Sequence, residues 1–181
     1  MVERAVDAGV PFAWVAADTV YGVSEIEMAL RRAGRGYVLG VTGAHDFNSW
    51  IGKPEVVGSA AEIAAALPSS AWRRLSAGEG TKGPRLHDWA YLELADFEAD
   101  TYVSGYEGLW TRGLLIRRHV ADGELAYFTT WCPAGTPLET LVTVEGRRWA
   151  IETRSRQRRT SSGSTTTRPA LGTTGTNTSI S

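Results

Sequence analysis

The chain has 181 residues, enough for one domain with a substantial core, and its 43% hydrophobic and 22% charged content is that of an ordinary globular protein. One cysteine, Cys132, excludes an internal disulfide framework, and no apolar run approaches the ~18 residues of a membrane span. The N-terminal residues lack a signal-peptide layout, so a cytoplasmic protein with no membrane partner is expected. The net charge of −1 conceals a split, because residues 153–181 carry five arginines and no acid, which leaves the first 152 residues acidic.

Residues 2–9 read as the end of a helix closed by Gly9. Val10–Ala17 is nearly continuous apolar sequence, the pattern of a strand covered on both faces, and it ends on Asp18 with a glycine turn at Gly22. Ser24-x-x-Glu27 has the form of a capping box opening a helix to Ala33, and Gly36–Thr42 reads as a second buried strand. Strand, helix, strand over this distance predicts one βαβ unit with parallel strands. Ser59-x-x-Glu62 caps a short alanine-rich helix ending at Leu67.

From Trp72 onward the pattern turns to β. Leu86–Ala95, Gly113–Val120 and Leu125–Trp131 are rich in aromatic and branched residues, and the glycine-rich Ala77–Pro84 and Ser104–Gly108 separate them as turns or loops. Thr136-Pro137-x-Glu139 marks a helix start, with a second helix expected from about Glu145 through Glu152. Beyond Glu152, fifteen of the last 29 residues are Ser or Thr and no aromatic occurs, the composition of a disordered basic tail.

Singly, the polar residues of interest have ordinary readings. An Asp after a strand caps a turn, a Glu on a helix faces solvent, and Arg147-Arg148-Trp149 is a helix face with its tryptophan turned inward. Together, Ala17-Asp18-Thr-Val-Tyr-Gly22, Tyr37-Val-Leu-Gly-Val41, Gly80-Thr-Lys-Gly-Pro-Arg85 with Asp88-Trp89, Leu114-Leu-Ile-Arg-Arg118 and Arg147-Arg-Trp-Ala-Ile-Glu152 follow one another in a familiar order. Over residues 1–152 the chain resembles the DDE-type transposases of bacterial insertion sequences, in the branch with a β-rich insertion before the last catalytic glutamate. One departure is that Glu145 stands where that family's motif has a tyrosine, three residues before Arg148.

The resemblance implies an α/β (α+β overall) fold: a partial ribonuclease-H-like core interrupted by a mainly antiparallel β insertion. It divides the chain into core (1–43), insertion (44–132), glutamate-bearing helical segment (133–152) and tail (153–181). It implies metal-dependent DNA cleavage and strand transfer at transposon ends. Asp18 and Glu152 would be catalytic carboxylates holding Mg²⁺ or Mn²⁺, with Arg148, Arg147, Lys82 and Arg85 on the DNA backbone. The Gly80–Arg85 loop lacks the spacing of a nucleotide-phosphate loop, so no nucleotide cofactor is expected. Cys132 and the three histidines have no spacing that suggests a nucleophile or metal site, which favours a packed cysteine.

The family's first aspartate, on an earlier strand, has no counterpart in the sequence, so a truncated and inactive fragment is expected. Ser155–Arg159 and Ser164–Arg168 are what one-base shifts of the family's helix-continuing phrases would encode, which suggests a frameshift just after Glu152. Two other readings stand beside this one. The first is a DNA-binding or regulatory fragment that joins and interferes with an intact transposase. The second is an unrelated α/β enzyme using Asp18 as a general base.

Overall fold

The computed structural model describes residues 8, 12–18, 23–49, 56–80, 83–94 and 109–147. Apart from residue 8, the helix expected over residues 2–9 lies outside the described residues, as do the loop Ser104–Gly108, Lys82, Arg148, Glu152 and the tail from 153.

The βαβ unit forms. β1 (Trp14–Ala17) and β2 (Gly36–Val41) pair in parallel, with Trp14 opposite Gly36 and Ala17 opposite Leu39, and α1 (Val23–Arg32) lies between them in sequence. Every residue of β2 is buried, which is why its sequence is an unbroken apolar run rather than an alternating one. The expected capping box at Ser24 does not form, because Ser24 is already inside α1. The Glu27 carboxylate instead accepts hydrogen bonds from the Tyr37 hydroxyl and the Thr129 hydroxyl, both at 3.1 Å. A tertiary use of the acid has replaced the local one. Burial pushes the Tyr37 hydroxyl far above its usual pKa.

A small antiparallel pair that the sequence reading missed follows, β3 (Asp46–Ser49) and β4 (Val56–Ser59). It leads directly into α2 (Ala60–Ala66), where the Ser59–Glu62 capping box is complete in both directions and Leu67 is the C-cap, as the sequence predicts. Four long strands then form an antiparallel meander: β5 (Arg73–Gly80), β6 (Gly83–Leu94), β7 (Trp110–His119) and β8 (Leu125–Pro133). Ala77–Pro84, expected as a loop, belongs mostly to β5 and β6. Its glycines serve an irregularity between Ser76 and Glu79, where Gly78 has φ +99°, and the start of β6, where Gly83 has φ +109°.

The strands join one six-stranded sheet in the order β1-β2-β8-β7-β6-β5, with β8 antiparallel to β2. The meander therefore extends the sheet begun by the βαβ unit, and the architecture is mixed α+β. One face is covered by α1 and α2. Leu30, Tyr37, Leu39 and Trp131 pack together beneath α1, and Val41, Phe47, Ile63, Leu114 and Ile116 beneath α2. On the other face lies a helix over residues 138–147, here α3. The sequence predicted a helix from Pro137 and another from about Glu145; the helix opened by the Pro137 carbonyl, which accepts from Thr140 and Leu141, continues without a break past Glu145 to the last described residue, 147.

Leu141, Val142 and Val144 of α3 belong to a cluster that includes Val38, Ala77, Trp89, Leu115, Phe128 and Cys132, with Trp14 and Ala16 packed against it. Residues from both edge strands, β1 and β5, thus meet the same helix, so the sheet curls around it.

Candidate functional site

Strand polarity sets where the polar residues fall. β1, β2, β7 and β5 run one way, and β8 and β6 the other. Contacts from α3 to β5 progress from Glu139, which pairs with Arg73, to Gly146, beside Ala77, so α3 runs in the direction of β5 and hence of β1. The end of β1, the end of β7, the start of β6 and the end of α3 therefore share one rim of the sheet. Asp18 follows β1 at this rim and is exposed. Trp14 and Ala16 face α3 while Val15 and Ala17 face α1, and Asp18 is the first residue after the strand.

At the same rim α3 is fastened to the meander by two arginines. Arg117 Nη1 donates to Glu145 Oε1 at 2.8 Å, an ion pair whose carboxylate side chain is only 1% exposed. Arg85 Nη2 donates to the backbone carbonyls of Ala77 (2.5 Å) and Gly146 (2.9 Å), bridging strand and helix. Only glycine fits at 146, because a Cβ there would lie 2.1 Å from the Ala77 carbonyl oxygen. Arg147 is helical and exposed just beyond.

Between β6, β7 and the end of α3 is a cleft of ≈ 480 Å³ lined by Arg85, His87, Arg117, His119 and Glu145, among others. A second hollow of ≈ 500 Å³ shares Ala77 and Arg85 with it and reaches Thr143 and Arg147. His87 and His119 are directly opposite on β6 and β7, with ring centroids 5.6 Å apart. Burial and the nearby Arg117, His119 and Arg85 charges lower the His87 pKa to about 4. His119 Nδ1 lies 2.7 Å from Asp122 Oδ1, and that carboxylate also accepts from the Glu124 backbone N–H, which holds its pKa down.

Arg118 lies on the opposite face from Arg117, as strand alternation requires, and with Arg74 it contacts Asp88. These contacts, Arg74 first, hold the Asp88 carboxyl below its usual pKa. Cys132 is fully buried, 3.7 Å from the Tyr91 hydroxyl, and burial raises its pKa. That is the environment of a packed thiol and not of a nucleophile.

Of the residues singled out in the sequence, Asp18, Arg85 and Arg147 fall at one rim, while Lys82, Arg148 and Glu152 lie outside the described residues. The sequence reading did not find the Arg117–Glu145 pair, His87 or His119 as a cluster. The available signal was two residues of the same β face, 117 and 119, opposite 89 and 87. Among the described residues no group of three or more His, Cys, Asp and Glu is disposed to hold a metal ion. Asp18 alone does not make a metal site, and Glu145 and Asp88 are already taken by arginines. No protein-family model and no curated protein matches the chain.

Proposed function

We propose that the chain is part of a DDE-type transposase catalytic domain, carrying the second aspartate (Asp18), the β-rich insertion and the glutamate helix, and that by itself it binds DNA without cutting it. The reading belongs to the ribonuclease-H-like class of folds. It is supported above all by one observation: Asp18 follows a strand of a parallel pair at the rim that the last described turn of α3 reaches, and Glu152 comes five residues after the last described residue of that helix. Carboxylates that clamp two ions about 4 Å apart need such convergence.

Asp18 and Glu152 provide two carboxylates where the class uses three, which is why binding rather than cleavage is proposed. Two carboxylates alone do not make the three-carboxylate set that holds Mg²⁺ or Mn²⁺ in the class, so no step is assigned to a metal. A net charge of −1 gives no general attraction to DNA, and binding must come from locally grouped cations, Arg85, Arg147 and Arg148 among them.

Fluorescence anisotropy with a labelled DNA duplex tests this. Binding should weaken with salt, and replacing both Arg147 and Arg148 with alanine should lower the slope of log K against log salt by about 2, since each phosphate contact contributes ~0.9. Absence of salt-dependent binding refutes the proposal. Cysteines placed at 18 and 152 should be joined by a cross-linker reaching about 10 Å, the span a two-ion site sets. If only much longer linkers join them, the transposase reading loses its main support. Mg²⁺-dependent nicking that disappears in both Asp18→Ala and Glu152→Ala would overturn the no-cleavage part.

A further inference from the structure

We infer that the cleft between β6, β7 and the end of α3 is a subsite for one phosphate group of a nucleic-acid backbone, held from within by Arg85 and His87 and at its rim by His119 and Arg147. The nucleic-acid source of that phosphate rests on the function proposed above; the anion chemistry of the cleft does not.

The first support is unmet hydrogen-bonding capacity. Arg85 Nε and His87 Nδ1 are buried and have no hydrogen-bond partner, and both residues line the ≈ 480 Å³ cleft. They stand two apart on β6, so both side chains rise from the same face of the strand. Buried polar nitrogens without partners are rare in folded proteins, and two beside one cavity call for an acceptor in that cavity. A phosphate offers oxygens to the Arg85 Nε–H, and to His87 in the tautomer that carries its proton on Nδ1, and suits a guanidinium especially well.

The second support is the local field. Glu145 in the cleft lining pairs through Oε1 with Arg117 and Asp122 pairs with His119, while a third acid, Glu79, lines the adjoining hollow. The Gly146 carbonyl, which would otherwise present a negative end toward the cleft, accepts from Arg85. His87 is held neutral by burial and then by the charges of Arg117, His119 and Arg85. Burial, the larger cause, disfavours any charge there, but the part contributed by Arg117 and Arg85 is a positive field that also attracts an oxyanion. Arg147 is exposed at the adjoining hollow, so a backbone entering the cleft would meet it next.

NMR on the full chain with ¹⁵N-labelled histidine and arginine tests the assignment, titrated separately with inorganic phosphate and a short DNA duplex. The Arg85 Nε–H and His87 ring resonances should shift with both titrants, and DNA should saturate them at about tenfold lower concentration because neighbouring phosphates add contacts. His119→Ala removes only a partly exposed ring and should weaken phosphate binding by about threefold with folding intact. If DNA binds by anisotropy while these resonances stay fixed, the subsite is refuted and the proposed function survives. If phosphate shifts them but DNA does not bind, the cleft is a free-phosphate site, and both the backbone assignment and the proposed function fall. If neither titrant shifts them, the inference is wrong.

Discussion

Replacing Gly146 with alanine tests how tightly α3 is seated on the meander, and the expected sign is opposite to the helix-propensity effect. Inside a helix, Ala is favoured over Gly by ~1 kcal/mol, so an uncrowded position would gain stability. Here the new Cβ would stand 2.1 Å from the Ala77 oxygen and 2.8 Å from its carbonyl carbon. Both are backbone atoms, so no side chain can rotate away, and helix and strand must part by about 1 Å to reach ordinary contact. Overpacking of this kind costs roughly 1–3 kcal/mol.

The parting also stretches the 2.9 Å bond from Arg85 to the Gly146 carbonyl, a charged hydrogen bond of about 1.5–3 kcal/mol. Set against the propensity gain, the net loss is about 3 kcal/mol. Urea unfolding followed by tryptophan fluorescence reads this well, since Trp89 and Trp131 are buried. A variant as stable as the parent, or more stable, would show that α3 does not approach β5 as described.

Glu145→Ala should cost about 3–5 kcal/mol by leaving Arg117 without its buried partner, whereas Glu145→Leu combined with Arg117→Met should recover most of that loss in the same unfolding assay. Ser59→Ala removes the side-chain half of the α2 capping box, leaving the residue-59 backbone N–H on the Glu62 carboxylate, and should cost about 1 kcal/mol. The Ser59 backbone N–H and then its hydroxyl lower the Glu62 pKa, and only the hydroxyl's share is lost in Ser59→Ala, so a small part of the difference from the parent should disappear as pH falls through the carboxylate range, which urea melts at pH 7 and pH 3 would check. His87 has its folded pKa depressed to about 4, so the unfolded chain binds the extra proton first. Stability should therefore decline as pH is lowered from about 6.5 toward 4 and level off below, and His87→Gln should flatten that decline. A His87 NMR titration midpoint near 6.5 would refute the basis of this expectation.

Features carried by nearest neighbours in the chain were legible in the sequence. The apolar run of β2, the Ser59–Glu62 box and the opposed faces of Arg117 and Arg118 follow from spacing alone. Features decided by distant partners were not. Ser24 and Glu27 have the spacing of a box, but Tyr37 and Thr129 claim the carboxylate. Ala77–Pro84 looks like a loop because glycine weakens a strand, yet pairing with β6 keeps it extended around the Ser76/Glu79 irregularity. Glu145 reads as a solvated helix residue until a strand 28 positions earlier supplies Arg117. At the candidate site, Asp18, Arg85 and Arg147 were visible as residue types, but the pairing of His87 with His119 depends on a β6–β7 register that spacing does not encode.

The placement of α3 has a consequence for biosynthesis. It covers residues of β1, β2, β5, β6, β7 and β8, yet it is made after all of them. While the ribosome is still adding residues before 138, Trp14, Val38, Trp89, Leu115 and Phe128 have no helix to cover them. The nascent sheet thus exposes a continuous apolar face for the whole time its strands are emerging. Closure depends on contacts between residues more than a hundred positions apart, which are slow to form. A ribosome stalled shortly before α3 would hold an aggregation-prone intermediate, so a chaperone has most to do in that interval.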